Sequence, residues 1–163
     1  MAPAHRPALR LVPATGERLR PSRWFCGHCG APSQEAPAPP ARVCGDCGLG
    51  LLLEARDDLA PHAGEPFAIV DATLAVRALS AAAEHLLAVC EQDVVERPVT
   101  ELLVPADAEA AGAAAFAHAL QLAARGDDEP QRLTVRPANV FGVRMTARIG
   151  VCGPPRAALL VLE

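Results

Sequence analysis

The chain has 163 residues, of which 51% are hydrophobic and 3% aromatic, and its formal net charge is -4. This length allows one ordinary domain with a small appendage and excludes a large multidomain enzyme. The negative net charge also excludes a polycation able to neutralise a long run of phosphates.

The N-terminal part of the chain is basic and rich in proline. Residues 1–25 contain five arginines and one glutamate, a composition that predicts a disordered basic arm over residues 1–22. This part lacks the apolar core of a signal peptide, and no apolar run in the sequence approaches the roughly 20 residues that span a bilayer. We therefore expect a cytoplasmic protein that does not enter a membrane.

Four of the six cysteines form two Cys-X-X-Cys pairs, at residues 26–29 and 44–47, each followed by a glycine. In a reducing compartment such pairs favour metal binding over disulfides. Each tight turn can present two sulfurs to one cation, and two turns complete the tetrahedral four-thiolate shell that Zn²⁺ prefers. A glycine after each pair can adopt positive φ, which turns backbone N–H groups towards the sulfurs. The sequence predicts a structural zinc site formed by Cys26, Cys29, Cys44 and Cys47, without Cys90 or Cys152.

The paired knuckles with their glycines resemble a zinc ribbon over residues 23–53. A redox Cys-X-X-Cys pair is the first alternative, but neither flank of these pairs has a helical pattern. The second is a rubredoxin-like iron site, whose usual knuckle proline is replaced here by Gly27 and Gly45. Because four thiolates already fill the shell, His28 and Asp46 are expected to be exposed turn residues.

Residues 54–63 are polar, with a proline among them and a glycine directly after them. This composition predicts a linker to a second unit at residues 64–163. In that unit, the apolar runs at residues 67–71 and 74–79 predict a strand hairpin. Ser80 can then cap a helix. The apolar face of this helix is predicted to contain Ala83, Leu86, Leu87 and Cys90.

Two further helical segments precede a change of pattern. A short stretch over residues 91–103 is interrupted at Pro98, and a long helix over residues 107–125 ends at Gly126. From residue 132 apolar and polar residues alternate, first around Leu133 and Val135. In the next predicted strand, residues 141–151, one face is apolar and the other is expected to meet solvent. The apolar face comprises Phe141, Val143, Met145, Ala147, Ile149 and Val151, and the solvent face Arg144, Thr146 and Arg148.

A final strand at residues 157–162 gives the order ββαααβββ, which predicts an α+β fold: an antiparallel sheet with helices on one side, preceded by the small zinc ribbon. The segments FAIVD, LAVRAL, SAAAEHLLAV and RPVTELLVPAD resemble the opening strands of a PAS domain, its N-x-A-A-E-x-L-L-G helix and its G-x-x-x-x-x-L-x-P-x-D segment. The sequence departs from these motifs at Ser80, Ala88 and Arg97, where the family usually has Asn, Gly and Gly. The resemblance covers residues 64–163 and implies a sensory or protein-interaction module of signal transduction or transcriptional control.

The resemblance also implies a cavity between sheet and helices that holds haem, flavin or a metabolite, and the sequence does not identify this ligand. The Asn-Cys-Arg-Phe stretch of photoreactive flavin domains is absent, and Cys90 is expected to pack as a small apolar residue. His118 is the candidate axial ligand for haem, ahead of His85. However, His118 lies two residues, or about 200°, from Phe116 and from Leu120 around a helix. If those two face the cavity, His118 is a surface residue.

The sequence contains no P-loop, nucleophile elbow, kinase or phosphodiesterase segment. We therefore expect a non-enzymatic regulatory protein that acts through a protein partner or a second copy of itself. The alternatives are nucleic-acid binding through residues 1–53, where Trp24 could stack on a base, and a haem sensor.

Overall fold

The computed structural model describes residues 20–33, 36–37, 42–106, 110–140 and 142–163. Residues 1–19 of the predicted basic arm lie outside these ranges. In chain order the elements are β1 (Ser22–Cys26), β2 (Pro32–Ser33), β3 (Leu52–Arg56), β4 (Phe67–Val70), β5 (Val76–Leu79), α1 (Ala81–Leu87), α2 (Glu91–Val94), a 3₁₀ turn (Val99–Glu101), β6 (Leu103–Pro105), α3 (Ala110–Arg125), β7 (Gln131–Pro137), β8 (Met145–Gly153) and β9 (Ala157–Leu162).

The described strands form one curled antiparallel sheet in the order β2-β1-β3-β8-β9-β4-β5. The other two strands join it at β8, since β6 pairs with β7 and β7 pairs with β8. One edge of β8 has two partners. Its first half pairs with β7, from Gln131↔Ile149 to Val135↔Met145, and its end pairs with β3, at Ala55↔Cys152. The predicted α+β class is confirmed, and the strands that flank the cysteine pairs belong to the same sheet as the rest of the chain.

The helix after the predicted hairpin begins as its sequence indicates. Ser80 Oγ accepts a hydrogen bond from the Ala83 amide at 3.2 Å, which satisfies one of the free N–H groups of α1. The helix ends at Leu87, because Ala88 adopts a left-handed conformation with φ of 53°. Cys90 therefore lies beyond the helix and is exposed, so the prediction that it packs as a small apolar residue is wrong.

Two apolar clusters cover the two faces of the sheet. The inner cluster lies between the sheet and α3, around Phe116 and Leu120. The outer cluster contains residues of β1, β3, β4 and β9 and of the segment after β3, around Phe25 and Phe67. Strand β9 contributes to both: Ala158, Leu160 and Leu162 face the inner cluster, and Ala157, Leu159 and Val161 face the outer one.

The outer face was predicted to be a polar solvent face, and this prediction is wrong for Arg148, which is only 8% exposed. The predicted strand also begins later, at Met145; Val143 is exposed and Phe141 lies outside the described residues. The physical reason is that residues 54–63, predicted as a linker, continue β3 and bury Leu59 and Ala60 against this face. A Cβ on Gly150 would lie 2.5 Å from Leu59 Cδ2, so glycine permits this close approach. The domain boundaries themselves stay a prediction.

The buried guanidinium of Arg148 holds the segment after β3 against the outer face of the sheet. Its guanidinium donates to the Asp58 carbonyl oxygen at 2.8 Å and to Glu65 Oε2 at 3.2 Å, and its Nε lies 2.7 Å from Glu163 Oε1. Each contact joins β8 to a distant part of the chain. A buried arginine is tolerated here because carboxylates and a carbonyl replace its water.

Replacing Glu65 with glutamine is expected to destabilise the protein at pH 7 but much less in acid. Burial would raise the pKa of Glu65, but hydrogen bonds from the His62 backbone and side chain and the charge of Arg148 outweigh it and hold the pKa below its usual value. A carboxyl whose folded-state pKa is lowered stabilises the fold above its unfolded pKa, and this contribution is lost as pH falls through the folded value.

We expect a deficit of about 1.5 kcal/mol at pH 7, as for a partly exposed hydrogen-bonded charge, measured from urea unfolding midpoints. The deficit should shrink towards zero as the pH falls below about 4, where an ordinary glutamate carboxyl becomes protonated. The exposed Glu101→Gln variant serves as a control for loss of a carboxylate. A deficit at Glu65 that stayed constant down to about pH 3, below the usual range of a glutamate carboxyl, would show that its charge is not the cause.

Among the described residues, no helix combines the length and apolar character needed to cross a lipid bilayer.

Candidate metal centre

Two tight turns, one after β1 and one before β3, carry the paired cysteines. In the first, the Gly30 amide donates to the Cys26 carbonyl oxygen at 3.0 Å, and in the second the Gly48 amide donates to the Cys44 carbonyl oxygen at 3.0 Å. Gly30 has φ of 73° and Gly48 has φ of 69°. The prediction that the glycine after each pair adopts positive φ is confirmed, and it gives both knuckles the same shape.

The turns bring the four predicted cysteine sulfurs together. All four lie within 4.8 Å of one another, with 3.6 Å between Cys26 Sγ and Cys47 Sγ and 4.0 Å between Cys29 Sγ and Cys44 Sγ. A tetrahedron with metal–sulfur bonds of about 2.3 Å has edges of about 3.8 Å, whereas a disulfide needs about 2.05 Å. The four cysteines are therefore close enough to hold a metal ion.

Burial and backbone N–H groups give Cys26 and Cys47 different pKa values. The amides of His28 and Cys29 point to Cys26 Sγ at 3.4 and 3.5 Å, yet burial raises the pKa of Cys26 to about 12. The amides of Gly50 and Leu49 instead lower the pKa of Cys47 to about 6. In the metal-free chain Cys47 thus ionises before Cys26, and a cation is needed to draw the proton from Cys26.

A small apolar layer covers the cysteines. Cys26 and Cys44 are buried with Leu52, and the half-buried Trp24 packs against them. This contact favours the packing role of Trp24 over base stacking. The neighbouring Gly50 is a further residue of the site, because a Cβ there would overlap Cys26 Sγ and lie 2.8 Å from His28 Cβ. Gly50 was not predicted from the sequence, although a second glycine two residues after Gly48 was the available signal.

The remaining candidate residues contribute no side-chain ligand atom to the group of four sulfurs. Asp46 is exposed in its turn, as expected, whereas His28 is half-buried with its Nδ1 3.9 Å from Glu91 Oε2. Neither belongs to the group of close sulfur ligands. Cys152 is buried in the outer cluster, and burial raises its pKa to about 12.

His118 is exposed on α3, whereas Phe116 and Leu120 are buried in the inner cluster. Its ring therefore does not face the space between helix and sheet. The cavity between α3 and β7 measures about 100 Å³ and is lined by Phe116 and Leu133, among others. That volume is below the roughly 300 Å³ of the smallest typical ligand pockets, so this cavity does not fit haem.

Two basic residues that precede the first cysteine turn, Arg20 and Arg23, pair with acids of the same chain. Arg20 lies 3.2 Å from Glu129 Oε2, and Arg23 lies 3.4 Å from Asp57 Oδ1 and donates to the Ala60 carbonyl oxygen at 2.7 Å. These contacts hold β1 to the body of the protein and leave these two arginines less available to phosphates.

No protein-family model matches the sequence, and no curated protein is significantly similar to it. The site is therefore interpreted from its own geometry.

Proposed function

We propose that the chain is a zinc-stabilised, non-enzymatic regulatory protein. Cys26, Cys29, Cys44 and Cys47 hold one structural Zn²⁺ in a ribbon-like module, and the remainder is a PAS-like body that acts through a protein partner. The observation that carries the proposal is the set of sulfur–sulfur distances, 3.6 and 4.0 Å, which match the edges of a tetrahedral zinc–thiolate centre.

A structural role is supported by the completeness of the thiolate set. Four sulfurs fill the zinc shell, whereas a catalytic zinc keeps one position open for water or substrate. The first turn is linked to the segment before β3, since the Gly27 amide donates to the Leu51 carbonyl oxygen at 2.8 Å, and the second turn is closed by the Cys44 amide, which donates to the Gly50 carbonyl oxygen at 2.8 Å. A metal here would fasten the ends of β1 and β3. Cysteines that bind a metal must stay reduced. The cytoplasm is a reducing compartment, and we propose that the protein is located there.

The PAS-like assignment is supported by the order and placement of the elements in residues 64–163. The hairpin β4–β5 leads through α1, α2 and α3 to three closing strands, and β9 returns to pair with β4. The helices pack on the inner face of the sheet. Because the described inner cavity is small, we assign the output to surfaces that contact other proteins and not to an enclosed cofactor.

The experiment is elemental analysis of the purified chain together with identification of what it binds. We expect about one zinc and no iron per chain. Chemical cross-linking in the native host should capture one defined protein with the wild-type chain, and capture should fall severalfold with a chain in which all four cysteines are serine. Iron with a red colour, or no metal, would contradict the zinc assignment. Turnover of a substrate by the purified chain would contradict the non-enzymatic assignment.

A further inference from the structure

A second cavity lies on the outer face of the sheet, beside the cysteine turns. It measures about 610 Å³, within the roughly 300–1,000 Å³ range of small-molecule sites. One wall is formed by the cysteine turns, through Gly27, His28 and Gly50, and the floor by Leu53, Ile69 and Ala78. We call this cavity the knuckle cleft.

The knuckle cleft contains apolar side chains that the fold leaves uncovered. Leu49 is 73% exposed and Leu51 is 49% exposed, and both line the cleft. Exposed apolar groups gathered at a concave surface mark binding grooves, whereas scattered ones do not. An apolar molecule in the cleft would cover both leucines and remove their apolar surface from water, which favours binding.

The two arginines that line the cleft are both held by contacts within the chain. Arg77 pairs with Asp71 at 2.7 Å and also with Glu96, and Asp71 Oδ1 accepts from Thr73 and Ala75. The guanidinium of Arg156 lies against Gly126 and donates to the Arg125 carbonyl oxygen at 3.2 Å. Asp71 therefore neutralises Arg77, and the guanidinium of Arg156 is directed to Gly126, which does not line the cleft.

Glu91 differs from them. Its Oε1 accepts a hydrogen bond from the Leu79 amide at 2.9 Å, which fixes the carboxylate at the rim of the cleft. Its Oε2 has only His28 Nδ1 nearby in the described structure, at 3.9 Å, which is beyond hydrogen-bond distance. The Glu91 carboxylate is fixed in position, and its Oε2 can accept a hydrogen bond from a ligand. Because it lies beside the apolar floor of the cleft, the site is complementary to a molecule that has a cationic group and an apolar body.

We propose that the knuckle cleft binds a small molecule with an apolar body and a protonated amine. The body lies on Leu51, Leu53 and Ile69, and the ammonium group donates to Glu91 Oε2. The inference rests on the proposed metal site only because the cysteine turns form one wall, so zinc content is measured in every sample.

The test uses two probes with the same phenyl body and opposite charge, 2-phenylethylamine and 3-phenylpropanoate. Each is titrated into the zinc-loaded full chain while the methyl NMR resonances of Leu51, Leu53 and Ile69 are followed. We expect the amine to shift these resonances with millimolar affinity and the carboxylate to bind at least tenfold more weakly. Equal binding of both probes, or binding of neither, would overturn the proposal.

Two matched pairs of variants locate the site. Glu91→Gln keeps an oxygen to accept from Leu79 and should weaken amine binding about tenfold, whereas Glu101→Gln, away from the cleft, should not. Ala78→Phe fills the cleft and should abolish binding, whereas Ala114→Phe on the exposed side of α3 should not. Unchanged amine affinity in Ala78→Phe would refute the site.

A second copy of the chain is the competing occupant. If the same methyl resonances shifted with protein concentration alone and the amine had no effect, the cleft would be a self-association surface and the proposal would be wrong. A wild-type chain that bound the amine without containing zinc would instead refute the proposed metal and leave the cleft standing.

Discussion

Replacing Cys44 with serine is expected to remove the metal and to lower the stability of the whole protein by more than about 3 kcal/mol. Structural zinc supplies about 10–16 kcal/mol to isolated zinc-finger peptides, so the cysteine turns should not stay folded without it. Their loss reaches the body, because β3 pairs with β8 at Ala55↔Cys152 and Phe25 lies in the outer cluster. Uncovering that cluster exposes apolar surface to water.

The expected measurement is a fall of roughly 10 °C in melting temperature, at about 3 °C per kcal/mol for a chain of this size, with zinc near zero by elemental analysis. Cys90→Ser is the control, because Cys90 is exposed and lies outside the sulfur cluster; it should keep both zinc and melting temperature. A Cys44→Ser chain with no metal and an unchanged melting temperature would show that the turns do not support the body.

Replacing Phe67 with alanine should have an effect of similar size, and it should also loosen the metal. Phe67 is fully buried, and its ring meets Phe25 edge to face with centroids 5.7 Å apart. Removing a buried phenylalanine costs about 3–5 kcal/mol. Phe25 is the residue before Cys26, so a cavity under Phe25 should let the first cysteine turn open more often.

Phe116→Ala is the matched control for this prediction, because Phe116 is equally buried but lies in the inner cluster. Both variants should lower the unfolding free energy, measured in urea, by about 3–5 kcal/mol. Only Phe67→Ala should speed the transfer of zinc to a chelator under native conditions, by at least fivefold over Phe116→Ala. Equal transfer rates would mean that metal retention depends on global stability and not on the Phe25 contact.

The features predicted correctly from sequence are those with local causes. The cysteine spacing and its glycines specify each turn within five residues, and Ser80 caps α1 through the amide three residues later. The strands β4, β5, β7 and β9 are bounded by turn residues close in sequence. The identity of the metal has no such local cause, because zinc and iron both accept four thiolates.

The outer face of the sheet was mispredicted because its cover comes from a distant segment. Alternation around Arg148 suggested a solvent face, but the partners of Arg148 lie far away in sequence, at Asp58 and Glu65. A signal was present in the neighbouring strands, since FAIV in β4 and AALLVL in β9 are continuous apolar runs. Such runs are typical of strands buried on both faces, and both strands are fully buried here.

The position of β9 between β8 and β4 has a consequence for how the chain folds. The cysteine turns and β1–β3 join residues close in sequence, as in Phe25↔Leu53, so they can assemble early and load metal during synthesis. Strand β4 instead pairs with β9, as in Phe67↔Val161, and must wait for most of the chain. Long-range pairing of this kind slows folding. Until β9 pairs with β4, the unpaired apolar edge of β4 is prone to aggregation. A β1–β3 segment that folded first would cover Phe67 of β4 with Phe25 during that interval.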